Sequence, residues 1–308
     1  MSAVDHVGVE AWRIGLGQQF EHLVNRLQHH RRPFVPSLPV RMLDEEAHAA
    51  QWKAPMLKGS LVLGASKPKS IIAVFPGVGG SAKNLVGLGE GILQGLGEGW
   101  YGQNPHAQII IFDTDAFSGD RALSAAWKLF PSVFQSSRYL SNPAVDGYDR
   151  NRKSFDPAKS RSNFFGDVLL SCCNDISYAL QEVLSEYGLT DENLILAGFS
   201  QGASIAAYTG FMRNVAGIIL MGGPGAPQLQ LLPPPTTSQT RVCIISGDSD
   251  PLAPHERLAE AFRPYGGHVN ILPGISHTIM QDHIDLGGAF ISAALTNASL
   301  QKSRRNMP

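Results

Sequence analysis

Three residue types in this chain could together cleave an acyl bond: a serine at a tight turn, a carboxylate and a loop histidine. Ser200 lies in Gly198-Phe199-Ser200-Gln201-Gly202, a G-x-S-x-G pentapeptide between the apolar run Leu194 to Ala197 and the small-residue segment Ala203 to Met212. A serine hydroxyl is a weak nucleophile until a neighbouring base takes its proton. A sharp strand-to-helix turn lifts such a hydroxyl off a sheet, and glycines flank it where a side chain would collide with the crossing chain. The first N–H groups of the following helix have no intrahelical acceptor and point at the same spot. In a chain with 32 glycines the bare pentapeptide is weak evidence, and the strand before it and the helix after it give it weight.

The acid and the base must come from elsewhere. The strand-like run Arg241 to Ser246 ends in Gly247-Asp248-Ser249-Asp250-Pro251, so Asp248 and Asp250 compete for the carboxylate that would orient a histidine. Either could instead serve only as a turn residue, the usual duty of Asp before Pro. His277 stands in Pro273-Gly274-Ile275-Ser276-His277-Thr278, between the strand 268–272 and a closing helix over 278–295. Other histidines fit less well: His255 begins a helix over 255–262, His268 begins a strand, and His283 lies within the closing helix. Ser200, Asp and His277 follow the chain order of α/β-hydrolases.

The elements that must position these groups alternate. The runs 60–65 and 70–75, separated by Lys67-Pro68-Lys69, read as an antiparallel hairpin entering the sheet. A helix-like stretch over 84–95 and strands over 108–112, 215–221 and 241–246 follow, with a long amphipathic helix over 165–187 stopped by Gly188. The fold class is therefore α/β: an α/β-hydrolase fold with a mostly parallel central sheet and helices on both faces. After the second run comes Pro76-Gly77-Val78-Gly79-Gly80-Ser81, a loop lacking the spacing of a nucleotide-phosphate cradle. Beside Ser200 it is better read as a source of backbone donors for an oxyanion, with Gly77 and Gly79 bordering the substrate. Residues 1–57 read as an N-terminal extension with an amphipathic helix over 9–30 and a proline-rich connector over 31–40. The hydrolase domain then spans 58–308, with a long aromatic-bearing insertion at about 113–164 that could roof the pocket.

A formal net charge of -1 gives no reason to expect nucleic acid as a partner. No apolar run reaches membrane-spanning length, and the first residues lack the basic leader and apolar core of a secretory signal. Three cysteines, Cys172, Cys173 and Cys243, suit a reducing compartment and a core role. These features predict a cytoplasmic protein that needs no metal or organic cofactor, and they leave the oligomeric state open.

The segments Gly188-Leu189-Thr190, Leu196 to Gly202, Gly247 to Pro254 (GDSDPLAP) and Gly274 to His277 together resemble the phospholipase/carboxylesterase family that includes acyl-protein thioesterases. The resemblance spans about residues 70–295. It implies that Ser200 is the nucleophile, Asp250 rather than Asp248 the acid and His277 the base, with the backbone N–H groups of Val78 and Gln201 as oxyanion donors. It further implies cleavage of a small-molecule or lipid-like acyl ester or thioester through an acyl-enzyme. Three departures bear on substrate choice: Pro76-Gly77 stands where the family usually has His-Gly, the 113–164 excursion is long, and the prelude is extra. The same three side chains would also serve an acyltransferase or a product-releasing thioesterase, and the fold could persist in a binding protein without chemistry.

Overall fold

A computed structural model describes residues 41–42, 57, 59–77, 80–97, 106–113, 148–149, 154–155, 162–223, 240–251 and 255–305. The chain divides into the units Met1–Ser37 and Leu38–Pro308, and every described residue lies in the second. The expected helix over 9–30, the connector over 31–40 and most of the 113–164 insertion lie outside the described residues.

In chain order the elements are β1 (Arg41–Met42), β2 (Leu61–Gly64), β3 (Ser70–Phe75), α1 (Val86–Gly97), β4 (Ala107–Ile111), β5 (Tyr148–Asp149) and β6 (Ser154–Phe155). They continue as α2 (Ser162–Glu186), β7 (Leu194–Phe199), α3 (Gln201–Arg213), β8 (Gly217–Met221), β9 (Arg241–Gly247), α4 (His255–Phe262), β10 (His268–Leu272) and α5 (Gln281–Arg305). Strands β5 and β6 pair only with each other, and the rest form an eight-stranded sheet in the order β1-β2-β4-β3-β7-β8-β9-β10. From β4 to β10 every pairing is parallel, while β1 with β2 and β2 with β4 are antiparallel. This is an α/β-hydrolase fold.

The central strands are continuous apolar runs because both of their faces are covered. Every residue of β3 (SIIAVF) and of β8 (GIILM) is buried. Alternate side chains divide between two helical layers. Ile71, Ala73 and Phe75 of β3, with Leu194 and Leu196 of β7, join one core with residues of α2, α3 and α4. On the opposite face Gly89 of α1 packs over Leu63, Ile109 and Ile111, and Phe290 of α5 lies against Gly217. Cys172, Cys173 and Cys243 are buried and free, and burial pushes the Cys173 and Cys243 thiols up to about 12 and Cys172 well upward. Such thiols are packing groups rather than nucleophiles.

The expected hairpin does not form. Strand β2 pairs with β4, and β3 lies beyond it between β4 and β7. The connection steps across the start of β4: the Ala65 N–H donates to the Ala107 carbonyl at 3.1 Å and the Lys69 N–H to the His106 carbonyl at 2.8 Å. A fully buried strand such as β3 gains more from two parallel neighbours under both helical layers than from one partner at an edge. The stop of α2 falls as read. Gly188 takes a left-handed backbone (φ 63°), and the Leu189 N–H returns to the Leu184 carbonyl at 2.8 Å.

Among the described residues no helix is long and apolar enough to cross a membrane.

Candidate active site

Strand β7 and helix α3 meet at Ser200, whose backbone sits at φ 55° and ψ −118°. A non-glycine residue pays strain there, and the surrounding chain must impose it. Packing at the turn does so. A Cβ on Gly198 would overlap the Gly202 carbonyl, and one on Gly202 would overlap the Phe75 carbonyl at the end of β3. The Ser200 N–H donates to the Met221 carbonyl of β8 at 2.8 Å, which ties the turn to the neighbouring strand end.

His277 closes the contact chain. Its Nε2 lies 2.9 Å from Ser200 Oγ and its Nδ1 lies 2.8 Å from Asp250 Oδ2. With Asp250 accepting at Nδ1–H, Nε2 is the bare nitrogen facing the hydroxyl. The Asp250 side chain is 1% exposed and that of His277 19%, so the carboxylate is enclosed while the imidazole keeps an open edge toward solvent and an incoming group. The Phe199 ring packs on the imidazole, with centroids 4.9 Å apart and planes inclined by 33°.

The acid and histidine loops are bonded to each other. Asp248 N–H donates to the Leu272 carbonyl and Ser249 N–H to the Ile275 carbonyl, both at 3.1 Å, and Gly274 N–H donates to Asp248 Oδ1 at 2.8 Å. The geometry thus separates the two competing aspartates: Asp250 faces the imidazole, and Asp248 braces the loop that carries it. His255 instead lies beside Glu256 in α4, and His268 is exposed on the edge strand β10.

Gln201 opens α3, so its backbone N–H is among those at a helix start without an intrahelical acceptor. Its carboxamide is buried with no hydrogen-bond partner among the described residues. Gly77 runs against the serine, since a Cβ there would stand 3.1 Å from Ser200 Cβ. Val78 and Gly79 lie outside the described residues. Just past the glycine loop, Ala82 N–H donates to Asp113 Oδ2 at 3.1 Å, and Ser81 N–H to Asn84 Oδ1 at 2.7 Å. Sequence reading missed Phe199, Asp113 and the bracing duty of Asp248. Only Phe199 left a local signal, as the aromatic residue immediately before the serine.

The fold is that of the α/β-hydrolases. Residues 170–295, which contain Ser200, Asp250 and His277, match the phospholipase/carboxylesterase family, so the resemblance read from GFSQG and GDSDPLAP holds over that segment. No curated protein matches the sequence. Among solved structures, esterase PE8 superposes with a TM-score of 0.50 at 22% identity, over 76% of this chain and 97% of that one. The protein TT1662 from Thermus thermophilus superposes with a TM-score of 0.51 at 16% identity, over 84% of this chain and 99% of that one. The carboxylesterase of Bacillus cereus is also similar, with a TM-score of 0.47 at 16% identity, over 76% of this chain and 93% of that one. The family match supports an esterase-type hydrolase.

Proposed function

We infer that this chain is a serine hydrolase that cleaves carboxylic esters or thioesters through an acyl-enzyme. The observation that carries the reading is the contact chain from Ser200 Oγ through both nitrogens of His277 to Asp250, built at a strained serine. In this reading the Ser200 oxygen attacks the acyl carbon while its proton passes to His277 Nε2. Asp250 holds the Nδ1 proton and stabilises the imidazolium. The backbone N–H groups of Val78 and Gln201 receive the oxyanion that develops on the acyl oxygen. When the tetrahedral intermediate collapses, His277 returns the proton to the departing alcohol or thiol, leaving the acyl group on Ser200. A water, deprotonated by the same nitrogen, then releases the acid and restores the serine.

The buried carboxylate and partly exposed imidazole support this assignment of roles, because the acid must stay fixed and ionised while the base meets substrate. The test is labelling by a fluorophosphonate together with hydrolysis of short-chain nitrophenyl esters. The native chain should be labelled at Ser200 and turn over the ester, and Ser200→Ala should do neither. Full turnover by Ser200→Ala would remove the proposal.

A further inference from the structure

His283 is a buried titratable group that the mechanism above leaves unused. It lies in the first turn of α5, just past the turn that carries His277, and is 1% exposed. Two bonds tie it to Met280: the Met280 N–H donates to His283 Nδ1 at 3.1 Å, and the His283 N–H donates to the Met280 carbonyl at 3.0 Å. This is half of a capping box, in which the side chain at the third helical position reaches back to the N–H of the residue before the helix. Glutamate or glutamine usually fills that position. An imidazole can do so only when Nδ1 is bare, which requires the neutral ring with its proton on Nε2. Burial favours that form, pushing the His283 pKa down to about 4 against the opposing pull of Asp282, the Met280 backbone and Asp250.

The consequence reaches the site because the base sits in irregular chain. Between Leu272 and Gln281 no helix or strand holds His277. Within that stretch the backbone is held by Ser249 N–H on the Ile275 carbonyl at 3.1 Å and by one local bond from Thr278 N–H to the Ser276 carbonyl at 2.9 Å. The rest of its placement comes from what fixes its two ends. The upstream end is held by Gly274 N–H on Asp248, and the downstream end by Met280 N–H on His283. We propose that His283 is a positioning residue: its neutral imidazole anchors Met280, and through Met280 it sets the imidazole of His277 between Ser200 and Asp250. The proposal rests on the triad reading above and deepens it.

The experiment compares wild type, Ser200→Ala, His283→Ala and His283→Gln. Active sites are counted by fluorophosphonate labelling run to completion, and kcat and KM are measured on a short-chain nitrophenyl ester. Misplacing a catalytic group by about an ångström costs up to about 100-fold, so kcat per labelled site should fall about 10- to 100-fold in His283→Ala, with KM within about twofold of wild type. His283→Gln, whose side-chain oxygen can accept the Met280 N–H, should recover to within about threefold of wild type. If His283→Ala fails to fold, His283→Met takes its place as a side chain of similar bulk with no comparable acceptor. An inactive Ser200→Ala beside a His283→Ala or His283→Met with wild-type kcat would overturn the positioning role and leave the triad reading standing. A His283→Gln as impaired as the apolar variant would overturn it too, as would a loss confined to KM. An active Ser200→Ala would instead remove the triad reading, and the inference with it.

Discussion

Asp248 and Gly274 join the two loops on which the proposed chemistry depends: the Gly274 N–H donates to Asp248 Oδ1 at 2.8 Å, far along the chain from the carboxylate it serves. Asp250, two positions on, points instead at His277. Two acids in one short turn thus do different work, and substitution should separate them. Asp250→Asn should lower kcat by about 10⁴-fold, because an amide favours the wrong imidazole tautomer and cannot stabilise the imidazolium. Asp248→Asn keeps an acceptor for Gly274 N–H and should retain activity within about tenfold. Asp248→Ala should cost about 1 kcal/mol of stability by removing that bond. Ester turnover and urea melts of the three variants check the ordering.

Ser200 tests the reading most directly. Ser200→Ala should lose about 10³- to 10⁶-fold in kcat while folding normally, since the change removes only the attacking oxygen. Active-site titration, steady-state kinetics and circular dichroism on the same preparation measure both halves of that statement.

Phe199 packs its ring on the His277 imidazole at a centroid distance of 4.9 Å. Phe199→Ala opens space beside the base and lets it leave the line between Ser200 and Asp250, so kcat should drop about tenfold or more. Phe199→Leu should fall between the two. A Phe199→Ala enzyme with wild-type kcat would show that the ring only fills space.

Gly202 has the Phe75 carbonyl where a Cβ would go. Backbone cannot move aside as a flexible side chain can, so Gly202→Ala should cost more than about 3 kcal/mol or prevent folding. Gly97, with nothing within 4 Å of its Cβ position among the described residues, is the control. Gly97→Ala, in the last turn of α1, should leave the melting temperature unchanged or slightly raised. Thermal melts of both variants decide.

Stability should depend on pH through His283. Its pKa is about 4 in the folded chain, against about 6.5 when exposed, so the unfolded chain takes up the proton first as pH falls. The contribution of the neutral ring is therefore complete above about pH 6.5, declines between about 6.5 and 4, and levels off below that, with a total of about 3 kcal/mol. His283→Gln lacks this proton uptake. Between pH 7 and 4.5 wild type should lose more stability than the variant, as measured by urea denaturation at each pH. Equal losses would mean that His283 does not titrate differently on folding.

Much of this architecture is written locally in the chain. Leu194 to Phe199 is apolar throughout because β7 is covered on both faces, and Gly198 and Gly202 stand where chains cross. Such patterns repeat over a few residues, so one stretch suffices to read the strands, α2 with its Gly188 stop, and the serine turn. The order Ser200, Asp, His277 is equally legible, because strand ends carry the loops that hold these groups. What sequence could not resolve depended on neighbours far away in the chain. The β2 and β3 runs looked like a hairpin because they are consecutive, yet β4, much later in the chain, separates them.

The residues themselves thus determined a nucleophile turn, a pair of candidate acids and a loop histidine, since each is a matter of short-range type and spacing. Spacing alone left the two acids open and the family resemblance implied Asp250, whereas only the tertiary structure decided that Asp248 braces the histidine loop, that Phe199 backs the ring, and that His283 ties down the turn behind it. Local pattern sets which groups are present. The packing of β9, β10 and α5 against one another sets which of them touch.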